Sequence, residues 1–304
     1  MVREIRVSVV MPVFNGSKFI EKSLRSVLEQ DFSDFEIIVV DDGSTDESSS
    51  IVRDFFGENR LPNVSTKLLS QENQGVSAAR NRGLSNAEGS YAVFLDADDI
   101  MNPGFLKKLY RNARETDADI TMCGFNMVNE NGNTIRSYMD SYQFFRGEIP
   151  GTQATLMMLK KTIWLWTGNG FFSRGFLESG NISYAHGATH GEDQEFALKA
   201  LFLSKSVTCV PECLVEYVQR KTSIVREPTL RQFHLVGSMR RLLRFFEEHG
   251  AEKEIIDLMR KNKIPESYLT VLSSLYSSGY SRTSLKRIVN HPFVKEQVRS
   301  FEFY

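Results

Sequence analysis

Apolar residues recur along the chain in two rhythms, and the two alternate. Short runs bounded by polar turns read as buried strands at 6–14 (Val-Ser-Val-Val-Met-Pro-Val-Phe after Arg6), at Phe35–Val40, at Val64–Leu69 and at Tyr91–Leu95. Between them the period lengthens to that of a helix. Ser17 is a good N-cap for a helix through Gln30, with Ile20, Leu24, Val27 and Leu28 on one face, and a second helix is expected over Ser48–Phe56. A third starts near the small residues Gly75, Ser77, Ala78 and Ala79, which allow close packing. Strand and helix thus alternate four times with short connections. That order predicts an α/β fold with an open, mainly parallel sheet and helices on both faces.

Beyond residue 100 the pattern is less regular. Pro103 opens a helix to about Thr116, and Ile120–Val128 with Thr134–Met139 reads as a hairpin around Asn131-Gly132. Residues 140–180 are rich in aromatics, which serve as sugar or base platforms but are also ordinary core. Trp166, beside the turn Thr167-Gly168-Asn169-Gly170, is the best placed to line a pocket. A helix runs from Gly191 to Leu203, and short strands at Val207–Val210 and Leu214–Val218 close this half. The tail from Pro228 is helical. We therefore expect a domain at 1–227, built from two halves at 1–100 and 101–227, and a helical extension at 228–304.

Length and composition bound the class. With 304 residues, 41% hydrophobic content and a net charge of −1, the chain suits a soluble globular protein of one large or two small domains. No run reaches the ~18 apolar residues of a membrane helix, since Lys160-Lys161 interrupts the longest candidate. The charged start, Arg3-Glu4-Ile5-Arg6, is no signal peptide. Cys123, Cys209 and Cys213 lie in apolar surroundings without nearby His, which suits reduced thiols in a cytoplasmic protein. Residues 228–304 hold 13 Lys and Arg against 8 Asp and Glu, whereas the whole chain has 37 against 38. The amphipathic, basic stretch 230–246 suits either packing on the catalytic domain or peripheral contact with the anionic inner face of the cell membrane. Nucleic acid is not an expected partner.

The candidate chemistry lies at strand ends. The strand Tyr91–Leu95 runs into Asp96-Ala97-Asp98-Asp99, three carboxylates in four positions. Such a cluster is stable when solvated, protonated or bound to a cation. Hard oxygen ligands suit Mg²⁺ or Mn²⁺, which bridge to diphosphates; the alternative is an acidic turn capping the next helix. Asp41-Asp42-Gly43 ends the second strand, where a carboxylate either accepts from a base or ribose or simply braces the turn. Arg80 and Arg82 point to different faces of a helix, so one reaches a cleft and the other is solvated. In His190-Gly191-Glu192-Asp193, a carboxylate serves either the helix dipole or, facing a cleft, as a general base. No Gly-x-Gly-x-x-Gly follows the first strand, which argues against a dinucleotide oxidoreductase.

Taken together, Val-Val-Met-Pro-Val-Phe-Asn, Val-Val-Asp-Asp-Gly-Ser-Thr-Asp, Ala-Ala-Arg-Asn-Arg-Gly, Phe-Leu-Asp-Ala-Asp-Asp and Gly-Glu-Asp-Gln-Glu-Phe resemble the family 2 inverting glycosyltransferases with a GT-A (Rossmann-like) fold, of the bacterial surface-glycan type. The resemblance covers 7 to about 220. It implies that Pro12, Val13 and Asn15 line a nucleotide pocket and that Asp41 or Asp42 binds uracil or its ribose. It further implies that Asn73 and Arg80 contact the base and its neighbours, that Asp96, next to Ala97, contacts the ribose, and that Asp98 holds Mn²⁺ or Mg²⁺. Asp193 is then the catalytic base, Asp99 supports the cluster, and Trp166, Asn169 and Glu192 face the acceptor. The implied reaction moves a sugar from a nucleoside diphosphate, UDP by expectation, to a hydroxyl of a glycan or lipid-linked acceptor.

Two departures stand out. Lys199 occupies the helix where the family often has Arg, and the later basic element reads Tyr217-Val218-Gln219-Arg220-Lys221, so Arg220 or Lys221 is the candidate for the diphosphate. Rival readings are a haloacid-dehalogenase-like phosphatase, whose Asp-x-Asp follows the first strand rather than the fourth, a sugar-nucleotide pyrophosphorylase, and a non-catalytic nucleotide-sugar-binding protein.

Overall fold

The computed structural model describes residues 5–59, 64–220, 229–299 and 301. The first half follows the expected alternation: β1 (Val7–Val13), α1 (Ile20–Leu28), β2 (Phe35–Asp41), α2 (Ser48–Glu58), β3 (Val64–Ser70), α3 (Val76–Ser85) and β4 (Tyr91–Phe94). The strands are parallel, in the spatial order β3-β2-β1-β4. Successive residues of β2 point to opposite faces. Ile37 and Val39 join the main core, whereas Ile38 and Val40 pack with Ala79 of α3. Both faces are therefore covered, which explains the unbroken apolar runs.

The chain moves outward from β1 through β2 to β3, then returns to β4 on the other side of β1. That reversal opens a crevice beyond the carboxyl ends of β1 and β4, where open α/β sheets bind ligands. Register aligns the candidate residues at this edge. Val13 pairs with Asp41, and Val10 with Phe94, so Asp96 comes level with Pro12.

The second half is mixed rather than parallel. The elements are β5 (Ile100–Met101), α4 (Phe105–Thr116), β6 (Ile120–Asn129), β7 (Thr134–Ser137), α5 (Gly151–Leu159), β8 (Gly170–Ser173), α6 (Arg174–Ser179), α7 (Glu192–Leu203) and β9 (Val207–Gln219). Strand β8 is antiparallel to both β4 and β6 and joins the two halves into one sheet. The hairpin around Asn131-Gly132 forms as expected. The two short strands expected at 207–218 are one strand, irregular opposite Cys123–Phe125, where Pro211 and Glu212 are exposed. None of the three cysteines is disulfide-bonded.

Two helix starts shift. Ser17 caps nothing: its N–H donates to Asp46, and α1 begins only at Ile20 after a turn closed by Gly16 O. Helix α4 begins after Gly104, whose φ of +84° favours glycine, and not at Pro103.

The tail forms a 3₁₀ turn (Leu230–Phe233), then α8 (His234–Glu248), α9 (Lys253–Leu258), a π-helical turn (Met259–Lys263), α10 (Ile264–Ser277), α11 (Arg282–Asn290) and α12 (Pro292–Arg299). Its buried residues belong to the same core as the sheet. Val236, Met239, Leu242 and Phe246 of α8 are buried, Phe246 against Phe202 of α7, so this apolar stripe is already covered by protein. Among the described residues no helix is long and apolar enough to cross a membrane.

Candidate active site

The loops after β1 and β2 are laced together. Asn15, in the left-handed region at φ +51°, accepts from Thr45 N through Oδ1 at 2.8 Å, and its own N–H donates to Ser44 Oγ at 2.9 Å. Gly16 N donates to Ser48 Oγ at 2.8 Å. Pro12 and Val13 are buried in β1, and Val13 O accepts from Asp42 N. Phe14 and Asn15 are exposed at the crevice.

Both aspartates ending β2 turn inward. Asp41 accepts from Ser44 N at 2.9 Å and from the Ser49 hydroxyl. Asp42 accepts from Gln71 Nε2 at 2.7 Å and from the N–H groups of Gln74 and Gly75 at 2.9 and 2.8 Å. Asp42 therefore satisfies donors just before α3, where Gly75 takes φ +90°. Both residues brace turns in this structure. Asn73, on the same loop, is exposed.

Arg80 is the centre of the site. Small residues bring α3 close to the sheet, and the guanidinium ends up 2% exposed. Its Nη2 donates to Asp96 Oδ1 at 2.7 Å and its Nη1 to Asp193 Oδ1 at 2.6 Å, with Glu192 Oε1 at 3.6 Å. Its Cζ stands 5.1 Å from the Tyr184 ring centroid. Its charge is matched by carboxylates that follow β4 and open α7, as a buried cation must be. Arg82 is the partly solvated one, near Gln71.

Asp193 lies in the first turn of α7 and keeps 29% of its side chain open. Thr167 Oγ1 also donates to its Oδ1, at 2.7 Å, and the Tyr184 hydroxyl donates to Thr167 at 3.0 Å. Among the described residues, both hydrogen bonds to Asp193 fall on Oδ1, which leaves Oδ2 available. Burial raises the Asp193 pKa, opposed by the Arg80 charge, and burial with the Asp193 charge brings Glu192 up to about 7.

Ala97 presents its carbonyl to Ser23 Oγ. Asp98 is 38% exposed at the crevice and forms an ion pair with Arg220, whose Cζ stacks 3.4 Å from the Phe19 ring centroid. Asp99 is buried and accepts from Val218 N; burial, then the Asp96 charge, push its carboxyl well above the ordinary range. Lys221 lies outside the described residues. Among the described residues no group of three Asp, Glu, His or Cys surrounds a common point. A single open carboxylate still fits Mg²⁺ or Mn²⁺, which take one or two carboxylates and complete their shell with phosphate and water.

Of the residues expected at the acceptor side, Glu192 adjoins Asp193. Trp166 is 8% exposed and packs edge-on to Phe125 and Tyr217. Asn169 is the correction: it is fully buried, and its amide holds Trp166 N, Cys123 O and Trp164 O. It shapes the turn and reaches no acceptor. Thr167 and Tyr184 are the residues that sequence reasoning missed. Their only signal was proximity to Trp166 and to Gly191.

This fold, with carboxylates gathered at the switch point of a half-parallel sheet, is that of GT-A enzymes. Staphylococcus aureus TarS (1–349) with UDP-GlcNAc superposes with a TM-score of 0.70 at 22% identity, over 96% of this chain and 78% of that one. A Pyrobaculum calidifontis mannosyltransferase with GDP-Man and Mn²⁺ gives 0.59 at 18%, over 98% and 84%. The profile described as "Glycosyl transferase family 2" matches residues 8–181, and the chain belongs to that family. It is 26% identical to the uncharacterized glycosyltransferase EpsJ of Bacillus subtilis, over 98% of this chain and 87% of the relative. It is 31% identical to the uncharacterized glycosyltransferase YibD of Escherichia coli, over 73% of this chain and 63% of the relative. The protein is a glycosyltransferase, and the phosphatase reading falls away.

Proposed function

We propose that the chain transfers a sugar, with inversion, from a nucleoside-diphosphate donor to an acceptor hydroxyl, with Asp193 as general base. UDP is the favoured nucleotide, because TarS is seen with UDP-GlcNAc and with UDP. The observation that carries the reading is the arrangement of Asp193: Arg80 and Thr167 grip Oδ1, and Oδ2 is left to take a proton. One base and one leaving group define a single displacement, whereas a retaining hydrolase needs two carboxylates flanking the bond.

The nucleotide lies along the ends of β1 and β4, between Pro12–Asn15 and Asp96–Asp98, with Asn73 at its rim. Asp98 would hold a divalent ion, which when bound would supply charge neutralisation to the diphosphate. Arg220 exchanges its pairing with Asp98 for the diphosphate when the donor arrives. The acceptor enters from the Asp193 and Glu192 side, as part of a glycan or lipid-linked saccharide at the cytoplasmic face of the membrane. Because the stripe of α8 is covered, any membrane contact falls to its basic outer surface.

Asp193→Asn tests the base. It retains UDP affinity and loses about 10²–10⁴-fold in transfer, the usual worth of a general base. Turnover near wild type removes Asp193 from the role, and donor binding without any turnover in the wild-type protein returns the non-catalytic reading.

A further inference from the structure

A cavity of about 250 Å³ lies between α7, the Tyr142–Trp164 segment and the C-terminal helices. Its walls come from separated segments: Tyr142 and Trp164, Gln194 of α7, and Lys263, Glu266 and Thr270 at and after the π-helical turn. Gln194 directly follows Asp193, and Trp164 precedes the turn that carries Thr167. The cavity therefore opens against the helix that bears the base. It is below the ~300 Å³ at which drug-sized sites begin, so it takes one sugar unit rather than a chain.

Its chemistry is specific. Lys263 is 7% exposed, yet among the described residues its ammonium makes no hydrogen bond. The Glu266 carboxylate stands 3.9 Å away, beyond hydrogen-bond reach, and its other oxygen is taken by Lys161. The Lys263 ammonium lies 5.8 Å from the Trp164 ring centroid, and Tyr142 stacks on Trp164 at 5.8 Å and 20°. The chain places the ammonium there by widening the helix over 259–263, just before Pro265, which has no N–H to continue the α-helical ladder. The Lys263 ammonium lines the cavity and is held there only by a carboxylate 3.9 Å away, so an anion entering the cavity can take a charge-assisted hydrogen bond from it. Two ammonium groups face one carboxylate at this wall, so it carries net positive charge.

We propose that this cavity is an acceptor subsite for a saccharide unit bearing an anionic group, a carboxylate or a phosphate, with the Tyr142–Trp164 pair as the platform for its ring and Lys263 as its counter-ion. The inference rests on the adjoining cleft being the site of transfer, because only then does a bound sugar present a hydroxyl to Asp193. Stacked aromatics hold the apolar face of a sugar, and the ammonium selects the charged unit over its neutral counterpart.

The test uses the full chain and its tryptophan fluorescence, since Trp164 and Trp166 are its only tryptophans. The probes are a glucuronate-terminated disaccharide, a glycerol-phosphate-substituted disaccharide and a neutral glucose disaccharide, each titrated with and without UDP. At least one charged probe changes the fluorescence at concentrations where the neutral one does not; which of the two identifies the anion. Lys263→Met weakens that probe roughly 10–100-fold, the worth of a charged hydrogen bond. Thr270→Glu, at an exposed rim position that leaves the core intact, weakens it in the same direction. Equal binding of charged and neutral probes, no response to either charged probe, or unchanged affinity in Thr270→Glu overturns the proposal. UDP affinity and donor hydrolysis, followed in parallel, separate outcomes. Loss of the subsite with donor chemistry intact refutes this inference alone, whereas absence of UDP binding refutes the reading of the cleft.

Discussion

Replacing Arg80 with Met removes the cation that, among the described residues, Asp96, Asp193 and Glu192 share. Breaking a buried ion pair from one side costs ~3–5 kcal/mol, because the abandoned charge has no water to turn to. Here Asp96 and Asp193 keep 27% and 29% of their side chains exposed, which places the cost at the lower end, about 3 kcal/mol. At about 2 °C per kcal/mol, the value for larger domains, the midpoint of thermal unfolding drops by about 6 °C at pH 8. The loss is smaller at pH 5. Glu192, raised from 4.5 to about 7, is already protonated there, so fewer charges are stranded. Thermal unfolding at the two pH values reads the effect directly. Arg80→Lys recovers part of it, since a single ammonium reaches one carboxylate well but not two at once. A drop that is the same at both pH values, or under ~1 °C at pH 8, would refute the claim that Arg80 balances this cluster.

Other outcomes follow from the same geometry. Glu192 titrates with a raised folded pKa, so its stabilising contribution is complete below 4.5 and lost as pH rises to about 7, on the order of 3 kcal/mol in all. Glu192→Gln flattens that decline, and a wild-type-like pH dependence of unfolding in the variant contradicts it. Asp98→Ala removes the metal dependence of UDP affinity, measured by calorimetry with Mn²⁺ and with chelator; unchanged metal dependence places the ion elsewhere. Gly191→Ala forces a Cβ to within 2.7 Å of Leu235 Cδ1 at a φ of +78°, a strain of ~1–3 kcal/mol. It lowers kcat more than UDP affinity, because it disturbs the seat of the proposed base and not the strands proposed to hold the donor; the opposite split argues against that seat.

Much of this was legible in the sequence for a physical reason. The strands of the first half are buried on both faces, so their apolar runs are unbroken, and the acidic residues that end them mark the ligand edge. The later half was less legible. Strand β8 spans only Gly170–Ser173 inside an aromatic stretch, where a short apolar run does not declare its partners. Spacing showed that one of Arg80 and Arg82 turns inward, but not that the inward one meets two carboxylates from distant segments. Asn169 was expected to face the acceptor because its backbone partners, Cys123 and Trp164, are brought to it only by the folded sheet. The anion cavity was invisible for the same reason, since Tyr142, Gln194 and Lys263 converge only in three dimensions.

The C-terminal helices are fastened to the very turn that presents Asp193. Thr189 meets His234, His190 O accepts from Ser238, and the buried Glu195 carboxylate takes a forked grip from Arg241. Exchanging this tail for that of another glycosyltransferase therefore changes two things together, the wall of the proposed acceptor subsite and the bearing of the carboxylate proposed to deprotonate the incoming alcohol. A working chimera has to carry over both sides of that seam, 189–195 with 234–241, as a single cassette.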